Sequence, residues 1–168
     1  MSGENIHPIL DGSKTQTRRE IKAPVVEGAT AKGCKYGTVG NQLWIKETFC
    51  IPEIVNGYPH YSYRADICKE EQDLFKPWKP SIFMPRAASR ITLEITGIRI
   101  ERLQDISEDD AQAEGVVLGE DRSYSHAEHS LHYTPYRTAY SALWERINGP
   151  GSWAKNPLCW VISFKKII

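Results

Sequence analysis

The stretch GSKTQTRR, residues 12–19, sets three cations and two threonines in eight positions with almost nothing apolar. Lysine supplies a compact charge whose pKa falls readily on burial, and arginine a planar fork matched to phosphate or carboxylate. A threonine hydroxyl beside a deprotonated lysine can act as a nucleophile. If the segment is extended, Lys14, Gln16 and Arg18 project to one side and Thr15, Thr17 and Arg19 to the other. A helix would instead bring Lys14 and Arg18 together. A solvated basic turn is the competing reading of so short a motif.

Three further groups of residues could carry chemistry. WKPSIFMPRAASR interleaves Trp78, Phe83 and Met84 with Lys79, Arg86 and Arg90, and aromatic and guanidinium planes among cations suit the stacking of an unpaired base. Core aromatics beside cations with buried stems would read the same way. In SEDDAQAEG, Glu108, Asp109 and Asp110 are first-turn acids favoured by the helix dipole. Glu114 comes at the helix end, gains nothing from that dipole, and needs another reason to be acidic. His126, His129 and His132 recur every third residue, but that spacing does not put three ligands on one helical face, so no metal is expected there.

These residues need elements to position them. Ile6, Ile9 and Leu10 share a short helical face that Gly12 ends, with Pro8 in the first turn. QLWIKETFCI reads as a strand with Leu43, Ile45 and Glu47 on one face, and HYSYRAD as a second with Tyr61 and Tyr63 together. The firmest strand signal is SRITLEITGIRIERLQDI, where Ile91, Leu93 and Ile95 alternate with polar residues and Gly97 marks a bulge. Ser107, three before Asp110, forms a capping box with aspartate in place of glutamate, and Gly115 closes the helix. Pro135 opens a second helix that ends at Gly149, with Tyr136, Ala139, Tyr140, Leu143, Trp144 and Ile147 as its apolar stripe. LCWVISFKKII is a final strand. Strands with inserted helices and no repeat predict an α+β fold, a small mixed β-barrel with helices outside.

Composition narrows the function classes. Twenty-one Lys+Arg balance 21 Asp+Glu, so bulk charge makes no case for nucleic acid or membrane, and any basic surface is built locally by folding. No apolar run approaches the roughly 18 residues of a membrane span. The four cysteines, Cys34, Cys50, Cys68 and Cys159, are scattered without a CxxC pair. With no signal peptide before them, they are expected to be reduced thiols in a cytoplasmic protein without metal or cofactor. A chain of 168 residues suits one domain.

ILDGSKTQTRR, GNQLWIKETF, YRAD, the long segment from Trp78 to Gly115 and the closing ALWERING and NPLCWVISF together resemble the ASCH domain family of the PUA-like superfamily, in particular the ASCH proteins of phages and prophages. The resemblance covers most of residues 1–168, leaving only 116–134 without a counterpart. The family hallmark, Gly-x-Lys followed by polar residues and an arginine, is met by Gly12, Lys14, Thr17 and Arg19. It implies a PUA-like β-barrel whose cleft holds RNA or a modified nucleoside. One branch consists of N4-acetylcytidine amidohydrolases, and by that likeness Lys14 would be the base, Thr17 the nucleophile and Glu114 the proton donor. The resemblance equally admits a ribonuclease or a non-catalytic RNA- or nucleotide-binding module, in which Lys14, Arg18, Arg19, Arg86 and Arg90 hold phosphate and Trp78 stacks on a base. A phage accessory protein that binds a host protein is the third reading. Relatives carry an apolar strand before the region matched here, so the barrel is expected to lack its first strand. LCWVISFKKII would then present an open edge through which a second copy could pair as a homodimer.

Overall fold

In the computed structural model, which describes residues 6–22, 33–75, 77–118 and 135–167, the elements run in the order α1 (His7–Leu10), β1 (Gln16–Glu20), β2 (Gln42–Trp44), β3 (Phe49–Val55), β4 (Tyr58–Tyr63), β5 (Thr92–Arg102), α2 (Glu108–Ala113), α3 (Pro135–Asn148) and β6 (Leu158–Lys166). One antiparallel sheet of order β1-β6-β5-β2 curls into a half-barrel, and β3 and β4 form a separate hairpin. Helix and strand thus mix in an α+β architecture. The histidines 126, 129 and 132, and the polar loop that carries them, lie outside the described residues.

Periodicity explains the central strands. Ile91, Leu93 and Ile95 point inward and are essentially inaccessible. The β5–β6 register shifts between Ile95 and Gly97, so the glycine marks a bulge that bends the strand. In β6 the run from Cys159 to Ile162 is buried on both faces, which is why LCWVISF reads as continuous apolar sequence rather than alternation. Cys159 packs with Tyr140 and Trp144 on one side, while Trp160 and Ile162 pack with Cys34 and Ile95 on the other. Burial pushes the Cys159 thiol up to about 12, so it behaves as a small apolar group.

Two expectations are corrected here. The strand read through QLWIKETFCI is two strands in two sheets, β2 ending at Trp44 and β3 resuming at Phe49. Between them Ile45 enters the core with Ile6 and Ile91, and the buried Glu47 carboxylate accepts from Arg90 Nη2 at 2.8 Å and Nε at 3.0 Å. Satisfying that carboxylate with a fork of two N–H groups interrupts the ladder. The open edge expected on LCWVISFKKII is also absent, because β6 pairs with β1 on one side and β5 on the other. The sheet's edge strands are β1 and β2, and Lys165 pairs with Glu94 at 3.1 Å.

The capping box forms by half. Ser107 Oγ accepts from the Asp110 backbone N–H at 3.1 Å, but the Asp110 carboxylate turns to Arg18 and Arg99 instead of reaching back. Ser107→Ala should therefore lose about 1 kcal/mol of stability, the usual worth of such a cap, read as a lowered urea midpoint with an unchanged slope.

Candidate functional site

The segment GSKTQTRR adopts the extended alternative. Lys14, Gln16 and Arg18 are buried, whereas Thr15 and Arg19 are exposed and Thr17 half-buried. Gly12, with φ +83°, turns the chain out of α1 into this segment. Pairing of β1 with β6, Arg18 opposite Val161, holds the buried row against the sheet.

The end of α2 lies along the free edge of this segment. Thr15 N donates to Ala113 O at 2.9 Å, and Lys14 and Glu114 form an antiparallel bridge. That backbone pairing brings together two side chains separated by a hundred residues. Lys14 Nζ lies 3.0 Å from Glu114 Oε2, with side-chain exposures of only 5 % and 4 %, and it also donates to the Glu114 carbonyl. This answers why Glu114 is acidic: it neutralises a buried lysine. Gly115, at φ +77°, makes the approach possible, since a Cβ there would sit 2.8 Å from both Lys14 Cβ and Pro8 Cβ.

Arg18 forms a second charged layer. Its Nη2 donates to Asp110 Oδ2 at 2.8 Å and Glu101 Oε2 at 2.9 Å, while Nη1 stands 3.6 Å from Glu114 Oε1, too far for a hydrogen bond. Burial alone opposes its charge, but Asp110 and Glu114 outweigh that and hold the guanidinium above its ordinary value. Asp110 Oδ2 also accepts from Arg99 Nη2 at 2.6 Å.

Lys14, Thr17, Arg18, Arg19 and Glu114 line one narrow cleft of about 90 Å³. The facing wall is α3, which contributes Tyr140, Leu143, Trp144 and, towards the rim, the exposed Ile147. Burial, followed by the nearby Glu114 carboxylate, pushes the Tyr140 phenol well above its ordinary value, so it stays neutral. Polar atoms without a partner concentrate here. Of six buried side-chain nitrogens and oxygens lacking a hydrogen bond among the described residues, four belong to cleft residues: Arg18 Nε and Nη1, Glu114 Oε1 and Trp144 Nε1. Each buried orphan costs roughly 1–3 kcal/mol, and native proteins keep few of them, each calling for a reason such as a catalytic role or a bound water or ion.

The remaining candidates lie elsewhere. Trp78 lines a different groove with Phe49 and Phe83, and its indole N–H donates to Gln72 O at 2.8 Å. Arg86 is exposed and stands over the Trp44 ring at 5.8 Å, beside the edge strand β2. Arg90 is engaged internally, paired with Glu47 and Asp66 and stacked on Tyr63 at 4.0 Å. The structure therefore brings Lys14, Thr17, Arg18, Arg19 and Glu114 together and leaves Trp78, Arg86 and Arg90 outside. Tyr140 and Trp144 were legible in the sequence only as an apolar stripe. Their hydroxyl and indole N–H, which need partners once buried, were the available signal that this stripe could also face a site.

Among the described residues no helix is long and apolar enough to cross a membrane. Comparison of the chain with protein-family models, curated proteins and solved structures finds no match.

Proposed function

We propose that this chain is a PUA-like protein of ASCH type whose cleft between β1, the end of α2 and α3 receives a modified nucleoside and hydrolyses an amide on its base. The supporting observation is the buried Lys14–Glu114 pair, in which one carboxylate oxygen is held by the lysine and the other, Oε1, accepts no hydrogen bond among the described residues and has only the Arg18 guanidinium 3.6 Å away. Moving one proton from the ammonium to the carboxylate turns the pair into an amine and a carboxylic acid, a base and an acid side by side. The amine accepts the proton of an attacking hydroxyl, supplied by Thr17, as its acyl C–O bond forms. The carboxylic acid protonates the nitrogen as the acyl C–N bond breaks. Water then cleaves the acyl-threonine ester, so each turnover consumes one water and releases a carboxylic acid and the free exocyclic amine.

Charge supports a neutral ligand in the depth of the cleft. Lys14 is matched by Glu114, and Arg18 by Asp110 and Glu101, which leaves the exposed Arg19 as the cation best placed to meet a phosphate at the rim. A binding module without turnover is the second reading. It is favoured by Lys14 Nζ being occupied by the Glu114 carboxylate and carbonyl, with Thr17 not among its partners.

Incubation with N4-acetylcytidine, followed by chromatography, separates the two. Release of cytidine and acetate, abolished in Lys14→Ala and Glu114→Gln, is the expected result. Saturable binding without release selects the binding module. Neither binding nor release removes this nucleoside class from both.

A further inference from the structure

We propose that Trp144 recognises the ligand, its indole N–H donating to an acceptor on the molecule that enters the cleft. This inference rests on the ligand-binding reading above, whether or not turnover follows. Trp144 is held by α3 at one turn from Tyr140, the two rings 6.3 Å apart and tilted by 48°, and it is only 6 % exposed. An indole presents one donor and no acceptor, and a buried one nearly always finds a partner. Trp144 Nε1 has none among the described residues although the side chain lines the cleft.

Position and company assign the role. Trp78, by contrast, spends its N–H on the Gln72 carbonyl. A purely structural tryptophan on the α3 stripe would have been as well served by phenylalanine, which brings no unpaired donor into the core. Beside it Glu114 Oε1 and Arg18 Nη1 face each other at 3.6 Å without a hydrogen bond, so the indole N–H is a donor left without a polar partner among the described cleft residues. A single donor in an apolar-walled cleft fits a planar heterocycle that carries an acceptor atom on its edge. Tyr140 and Leu143 offer the ring faces their apolar contact. The acceptor that meets Trp144 thereby sets the orientation of the base relative to the Lys14–Glu114 pair.

The test uses the full chain labelled with nitrogen-15 and N4-acetylcytidine and cytidine as probes. The indole resonance of Trp144 is identified by its loss in Trp144→Phe. The expected result is that this resonance moves on titration, and that Trp144→Phe binds the probes about tenfold more weakly, the worth of one lost hydrogen bond. If the native chain binds or hydrolyses the probe while the resonance stays fixed and Trp144→Phe binds equally well, the inference is overturned and the reading of the cleft survives. If the native chain neither binds nor hydrolyses either probe, both are overturned.

Discussion

Glu114→Ala should lose about 3–5 kcal/mol of folding stability, the expected cost of leaving a buried charge without its partner. Lys14 is 5 % exposed and has its nitrogen on the Glu114 carboxylate and carbonyl. Removing the carboxylate leaves the ammonium with the carbonyl alone, in a place that water barely reaches. Arg18 loses a neighbouring negative charge as well. Urea unfolding of the single variants and of the double variant Lys14→Met/Glu114→Leu tests the assignment. The double variant should recover most of the loss, because apolar side chains of similar volume remove both charges and their desolvation together. Single variants that stay within about 0.5 kcal/mol of the native chain, as surface substitutions do, would show that the pair is solvated. The same experiment bears on function, since a pair retained at a cost in stability has a reason other than folding.

Gly115→Ala should be nearly as damaging, by a backbone route. At φ +77° any residue with a Cβ is strained, by roughly 1–2 kcal/mol. The new methyl would also press on Lys14 Cβ and Pro8 Cβ, each 2.8 Å away, which adds roughly 1–3 kcal/mol for overpacking. A total loss of about 2–5 kcal/mol follows. Gly151 supplies the control: it has a similar φ of +75° with nothing within 4 Å of its Cβ position. Gly151→Ala should show the conformational part alone, so the difference between the two urea midpoints isolates the contact with Lys14. Equal losses at both positions would mean that the Gly115 backbone, rather than its closeness to Lys14, is what matters.

Much of the local structure was legible because it depends on interactions a few residues apart. Alternation placed Lys14, Gln16 and Arg18 on one side of an extended segment, and all three are buried. Ser107 capped the next helix through a bond spanning three residues, Gly97 marked the bulge, and Pro135 opened α3. Strand pleat, capping and φ preference are properties of neighbouring residues, so a linear reading reaches them.

Partner choice across the fold was decided by tertiary structure alone. Arg18 and Arg90 offer identical guanidinium groups, and as residue types both suit a phosphate. Arg18 instead meets Asp110 and Glu101 because β1 lies near α2 and the end of β5, while Arg90 meets Glu47 and Asp66. The strand LCWVISFKKII likewise carries no mark of its own that says which strands flank it. Its place between β1 and β5 is a matter of the strand order of the whole sheet. By itself the sequence determined that Lys14 would share a side with Gln16 and Arg18 if the segment were extended, and that Glu114 lacked a local reason for its charge. Only the sheet order, with α2 laid along the free edge of β1, put the two 3.0 Å apart. The physical reason is range: pleat and caps act over a turn or two of chain, whereas an ion pair is set by distance in space.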